Sequence, residues 1–299
     1  MIVDVHVHVI VRELRPHVTP PPAAVGEFVD PEGILAAAAQ AGIDHVVLSP
    51  WVRLLEGDLE HCRTQNAGLA ALVGDHISAL GSVPLAEPEL AARELRSIMD
   101  GGVLAGVEVP ASVGGVYLGD DRFAPLWVAA EETGAVVFIH PTTRGFDDPV
   151  FGDFYLWNTV GNPFETTITA AHMVMAGVVE RHPGLRVILA HGGGALPALR
   201  GRLRHAHTFQ PHARARLRED PEASIARFYF DTITHDPAVL ASLVEFAGGD
   251  HVLLGTDHPF DMGDPHPVAT VRAAGLGAAE RDVLGDTALR LLDREGART

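Results

Sequence analysis

The chain has 299 residues and a formal net charge of −17, which excludes nucleic acid or an anionic membrane as the expected partner. With 47% apolar and 20% charged residues the composition is that of a globular protein, so a disordered chain is excluded as well. There is no lysine, and all 22 basic residues are arginines, which rules out a Schiff-base lysine, a P-loop lysine and a carboxylated-lysine metal bridge.

The first predicted element is Ile2-Val3-Asp4-Val5-His6-Val7-His8-Val9-Ile10, which alternates polar and β-branched residues with the period of two of a strand. That period puts His6 and His8 on one face, with Asp4 expected beside them. The flanking Val/Ile run marks the strand as buried, and an unpaired buried polar group costs a few kcal/mol. A divalent metal answers both imidazoles at once.

Residues 11–30 follow, with Pro16, Pro20, Pro21 and Pro22, a loop expected to be too proline-rich for regular structure. A helix is predicted over 31–41, with Asp30 as N-cap, Pro31 at the first position and Gly42 as stop. Further strands are predicted at 45–49, 77–83, 105–109, 135–140, 185–190, 227–231 and 251–255. Helices are predicted between them at 58–73, 87–99, 121–133, 166–182, 195–205 and 237–247, and short helices from 267, including 286–293. Eight short Val/Ile/Leu strands, each followed by helix, predict the α/β class and a (β/α)8 TIM barrel. No domain boundary is placed within 1–299, and the insertions follow strands one and five. The structural alternative, a doubly wound open sheet, lacks a glycine-rich dinucleotide fingerprint after strand one.

The insertion at 144–165 carries Phe146, Phe151, Phe154, Tyr155, Trp157 and Phe164, and reads equally as a lid or partner contact and as a small satellite core. The Arg/His-dense stretch 200–218 reads as a solvated helix face. Cys62 is the single cysteine, so no intramolecular disulfide forms and a reducing cytoplasm is expected. No basic-then-apolar leader precedes strand one and no apolar run approaches membrane-spanning length, so a soluble intracellular protein is expected.

Polar residues gather at the predicted strand C-termini: His6 and His8, His140, His191 and Asp257, with Glu108 in strand four and Asp231 ending strand seven. Three imidazole nitrogens and a carboxylate suit zinc or another borderline divalent ion, with His191 free to act on water beside it. Asp231 has two readings, holding the outer nitrogen of a ligand histidine or capping the next helix.

His6-x-His8, Ile139-His140-Pro141, Ala190-His191-Gly192-Gly193-Gly194 and Leu254-Gly255-Thr256-Asp257-His258-Pro259-Phe260 together resemble the amidohydrolase superfamily. Their wording is closest to the branch typified by aminocarboxymuconate semialdehyde decarboxylase, and the resemblance runs from residue 2 to about residue 293. It implies one divalent ion, zinc first and manganese second, held by His6, His8, His140 and Asp257, with His191 as the base. It also implies Trp157 in a substrate pocket, an arginine on the substrate carboxylate, and a homodimer. Candidates for that arginine here are Arg53 and Arg144. The family's aromatic after the last aspartate is His258 here, a titratable group expected to face the pocket. Glu108 is expected to leave the site with one metal rather than two.

The implied activity is non-oxidative decarboxylation of a small unsaturated or aromatic carboxylic acid. Hydrolysis of a lactone, ester or amide at the same site, with Asp257 shuttling the proton, is the alternative. A non-catalytic metal-binding scaffold is the third reading, and an intact His191 argues against it.

Overall fold

The computed structural model describes residues 1–18 and 25–293. Its main sheet has eight parallel strands in sequence order: β1 Val3–Val9, β2 His45–Pro50, β3 Ile77–Gly81, β4 Gly106–Pro110, β5 Val136–His140, β6 Arg186–Leu189, β7 Tyr229–Asp231 and β8 Val252–Leu253. The sheet closes on itself through backbone bonds across the β1–β8 seam, from Val5 N to Leu254 O (2.9 Å), Asp257 N to His6 O (2.8 Å) and His8 N to His258 O (2.8 Å). With helices between the strands, this is a (β/α)8 barrel.

Local chemistry explains where the helices start. Asp30 accepts a hydrogen bond from Gly33 N at the head of Pro31–Gln40, and Asp58 accepts one from His61 N at the head of Leu59–Ala70. Such caps contribute about 1 kcal/mol each. Proline also opens Pro88–Gly101, Pro221–Ile225, Pro237–Ala247 and Pro267–Ala273, where its missing N–H is not needed.

Alternation along each strand divides the apolar residues into two cores. Val47, Leu80, Val136, Phe138, Ile188 and Leu253 point into the barrel with Val3 and Val5, and Ala288 and Leu291 of the helix Thr287–Leu292 close that end. Their neighbours Val46, Val107, Val137, Val187 and Val252 face outward into the layer beneath the helices.

β1 departs from strict alternation. Val3 and Val5 lie inside, yet Val7 and Val9 belong to the outer layer, and the pairing with β2 shifts register between Asp4 and Val7. This irregularity turns His6 and His8 inward and leaves Asp4 on the opposite face, which corrects the expectation that Asp4 sits beside them. Asp4 instead accepts hydrogen bonds from Thr256 Oγ1, Thr256 N and His6 N.

Other differences are local. Within 11–30, Arg12–His17 forms a 3-10 turn and Val25–Phe28 a short helix, because each needs only a few local bonds; Pro20, Pro21 and Pro22 lie outside the described residues. The helix expected at 166–182 begins earlier, at Asn162, and breaks after Met175, where Gly177 takes φ +72° before Val178–Arg181. A π-helical turn, Trp157–Gly161, leads into it. A small hairpin pairs Ser112–Val113 with Val116–Tyr117. Among the described residues, no helix is long and apolar enough to cross a membrane.

Candidate metal centre

The polar residues inside the barrel sit at its C-terminal end. His6, His8, Glu108, His140, Asp231 and Asp257 are all buried there. His6 Nε2 lies 3.0 Å from His8 Nε2 and 3.2 Å from Asp257 Oδ1, and His8 Nε2 lies 3.3 Å from the same oxygen. One donor atom from each of His6, His140, His191 and Asp257 falls within 4.8 Å of the others. The structure therefore brings together all five of the residues expected from the sequence at this centre.

Three of the four imidazoles are held from behind. His6 Nδ1 donates to Asp231 Oδ2 (2.7 Å), His8 Nδ1 to Pro50 O (2.9 Å) and His140 Nδ1 to Pro141 O (2.8 Å). A carbonyl oxygen only accepts, so Nδ1 of His8 and of His140 carries the proton and each Nε2 presents a lone pair. Asp231 resolves to the first of its two readings. Its oxygens also accept His191 N (2.9 Å), Gly192 N (2.7 Å) and Ile233 N (3.1 Å), so one carboxylate fixes both the His6 ring and the His191 turn.

Electrostatics repeats the pattern. Burial, then the neighbouring imidazoles, hold His140 well below the usual histidine range, and burial also lowers His8. Burial pulls His6 the same way, but the Asp257 and Asp231 carboxylates outweigh it and raise its pKa to about 10. Burial would lift Asp257, yet His6, His191 and His8 hold it well below the carboxylate range. A proton on His6 Nε2 thus stands where lone pairs from His8 and Asp257 converge. His140 Nε2 and Asp257 Oδ1, both buried, have no hydrogen-bond partner among the described residues. Convergent imidazole lone pairs and an ionised carboxylate, some of them unsatisfied, fit a divalent cation.

Glu108 lies 3.9 Å from His8 Nδ1 with both oxygens unpartnered among the described residues, and burial pushes its pKa well above the carboxylate range. A neutral carboxyl is a poor ligand for a second ion.

His191 has φ +57°, and its side chain, unlike those of His6 and His8, is partly exposed. Its Nε2 is 3.6 Å from Asp257 Oδ2. These two residues line a cavity of about 220 Å³ with Asn158, Thr159, Thr234, His235 and Met262.

Arg144, exposed and at φ +55°, stacks its guanidinium 3.8 Å from the centroid of Trp157. Arg53 is exposed on the 3-10 turn after β2. His258 stands apart from the cluster: it lines a groove of about 1010 Å³ outside the barrel, between Pro31–Gln40 and Pro267–Ala273, together with Asp4 and His266. The 144–165 insertion forms small local packing clusters, as the satellite-core reading expects. Phe146 packs on Phe151, and Tyr155 packs on Trp157 while its hydroxyl donates to Asp261 (2.9 Å), yet Phe154 is 90% exposed.

Sequence reasoning missed Asn158, Thr159, Thr234 and His235 as cavity residues, and missed Glu165. The carboxylate of Glu165, at the head of Asn162–Met175, is fully buried and receives Thr142 N, Thr143 N and Thr143 Oγ1 just after His140. Two consecutive threonines after a histidine–proline pair were the available signal, since such donors need an acceptor.

A family model described as amidohydrolase matches residues 3–294. A 2-amino-3-carboxymuconate-6-semialdehyde decarboxylase from Dictyostelium discoideum is 32% identical over 238 residues, 75% of this chain and 66% of that protein. The chain spans between 41% and 66% of the length of the first curated relatives that it matches. Among solved structures, a 5-carboxyvanillate decarboxylase from Sphingomonas paucimobilis superposes with a TM-score of 0.86 at 24% identity, covering 97% of this chain and 98% of that one. A 5-carboxyvanillate decarboxylase from Novosphingobium aromaticivorans, solved with manganese and 4-hydroxy-3-methoxy-5-nitrobenzoic acid, gives 0.85 at 19% identity, covering 98% and 96%. The chain belongs to the amidohydrolase family.

Proposed function

We propose, from this membership and the geometry of the centre, that the chain is a metal-dependent non-oxidative decarboxylase of a small aromatic or unsaturated carboxylic acid. The observation that carries the reading is the convergence of His6, His8, His140 and Asp257 beside a small cavity that also presents His191. Relatives named as decarboxylases support the reaction class. His6, His8, His140 and Asp257 would hold one divalent ion, zinc or, as in the Novosphingobium protein, manganese. When bound, the ion supplies a Lewis acid that polarises the substrate and acidifies water.

The protein's own groups divide the remaining work. A cavity of about 220 Å³ lies below the usual range for drug-sized ligands and suits a one-ring acid. The Arg144 guanidinium, held on the Trp157 ring, is the cation proposed for the substrate carboxylate, with Arg53 the second candidate. Cleavage releases CO₂ and leaves the bonding pair on the carbon that carried it, which then takes a proton. His191 Nε2, at the cavity wall and 3.6 Å from Asp257 Oδ2, is placed to move that proton. His258, on the outer groove, has no part in this reading.

The test is CO₂ release from a panel of one-ring aromatic and short unsaturated acids by protein reconstituted with Zn²⁺ or Mn²⁺. Release of CO₂ that needs His191 and Asp257 is expected. Acid release from lactones or esters, with no CO₂ from any acid, would replace the decarboxylase reading with the hydrolase one. A homodimer in the cytoplasm is the setting proposed for it, and sedimentation of the purified chain tests the dimer.

A further inference from the structure

The three imidazoles of the centre that are tied through Nδ1 are backed in three different ways. Behind His6 stands a carboxylate, Asp231. Behind His8 stands the Pro50 carbonyl, whose peptide N–H, on Trp51, is spent on the backbone of β1 at Val9 O (3.0 Å). Behind His140 stands the Pro141 carbonyl, and the N–H of that same peptide unit, on Thr142, donates to Glu165 Oε2 (3.2 Å). The same oxygen accepts Thr143 N (3.0 Å) and Thr143 Oγ1 (2.8 Å), while Ser112 Oγ reaches Oε1 at 3.4 Å. Glu165 is fully buried, so these bonds are its surroundings in place of water.

We infer that Glu165 is a positioning residue for His140, acting through the Pro141–Thr142 peptide. The inference rests on the metal reading above. A buried carboxylate on a peptide N–H polarises the attached carbonyl, because hydrogen bonds in series strengthen one another in a low dielectric. The carbonyl then holds the His140 Nδ1–H more firmly, fixes the ring plane, and raises the donor strength of Nε2. Asp231 does the same for His6 in one step. Glu165 also pins the turn that follows: Thr143 Oγ1 accepts Phe146 N (2.8 Å), and Arg144, Phe146 and Asp147 all take left-handed φ between 55° and 63°. Non-glycine residues hold that conformation only when their surroundings impose it.

The experiment is a Zn²⁺ competition titration against a chromophoric chelator, with the fold of each variant followed by circular dichroism. Glu165→Ala is expected to weaken Zn²⁺ binding about 10- to 100-fold, the range for partners of a ligand histidine. Glu165→Gln keeps an acceptor oxygen and is expected to stay within about fivefold. Thr143→Val removes one donor but leaves both backbone N–H groups, and is expected to change affinity less than about threefold.

The discriminating readout is coupling. In a His140→Ala background, Glu165→Ala should add less than about a twofold loss, since its route to the ion is already gone. An equal loss in both backgrounds, or wild-type affinity in Glu165→Ala, overturns the inference. Should Glu165→Ala not fold, Glu165→Asp, which withdraws the carboxylate by one methylene, must weaken Zn²⁺ at least about fivefold, and unchanged affinity overturns the inference. A wild-type chain that takes up neither Zn²⁺ nor Mn²⁺ overturns the metal reading and this inference together. One that binds but is indifferent to Glu165 overturns the inference alone.

Discussion

The two ends of the barrel interior are built from the same eight strands and opposite chemistry. At the N-terminal end Val5, Val47, Leu80, Val136 and Ile188 meet Ala288 and Leu291 of the closing helix, and every group is satisfied by contact alone. At the C-terminal end, three residues further along β1 at His8 and four further along β5 at His140, and at Glu108 and Asp257, polar side chains are as deeply buried, and several of their polar atoms have no partner among the described residues. Apolar burial is indifferent to direction, so the lower end tolerates many side chains of similar volume. Polar burial is not, so the upper end demands one geometry. The barrel carries stability at one end and an unfinished site at the other, and mutations should separate the two.

The largest expected effects lie at the upper end. Asp257→Ala should weaken divalent-ion binding by at least about 100-fold, since an ion ligand counts for more than its supporting partner. His191→Ala should leave the ion bound within about threefold and cut turnover by about 10² to 10⁴. Metal content of the purified protein, with a rate on any acid that releases CO₂, separates the two outcomes. Equal loss of ion in both variants would place His191 among the ligands.

At the lower end, Leu80→Ala should cost about 2–5 kcal/mol in urea unfolding and leave the folded protein's ion stoichiometry unchanged. An ion loss matching the stability loss would join the halves into one unit. Glu108→Met sharpens the contrast in the other direction. Removing an unpartnered buried carboxyl should stabilise the metal-free protein by about 1–3 kcal/mol. Destabilisation by more than about 1 kcal/mol would show that Glu108 has a partner.

The smallest effect is a slope. In the metal-free centre His6 holds its proton up to about pH 10, while His8 and His140 are held neutral. An incoming ion must therefore displace one proton from His6 Nε2, and apparent affinity should rise about tenfold per pH unit between pH 6.5 and 8.5. Proton release in an indicator titration, close to one per ion, checks it. Release near zero would mean that His6 Nε2 is already bare.

Much of this contrast was legible in the chain itself, because burial writes itself into strands as runs of Val, Ile and Leu, and the strand ends stand out where those runs stop at His140, His191 or Asp257. The irregularity in β1 was not. Asp4, His6 and His8 alternate without a fault in the sequence, and only the pairing with β2 and β8 reveals that Asp4 faces away. Glu165 was nearly as silent: the threonines after His140-Pro141 ask for an acceptor without naming it, and a glutamate in a first helical turn reads as a solvated partner of the helix dipole. His258 misled for a related reason. Its backbone carbonyl accepts the seam bond from His8 N and it directly follows Asp257, but its side chain leaves by the outer face.

The β1–β8 seam imposes an order in time. Asp4 and Thr256, which join across it, are 252 residues apart, and the centre draws His6 from one side and Asp257 from the other. At about 5–20 residues per second, roughly 10–50 s of synthesis separates the two. A nascent chain carries His6 and His8 through that interval with neither Asp231 to orient them nor Asp257 to complete the set. Capture of the proposed ion would therefore be a late event, belonging to a barrel already closed, and free metal during synthesis should leave the order in which the first seven strands assemble unchanged.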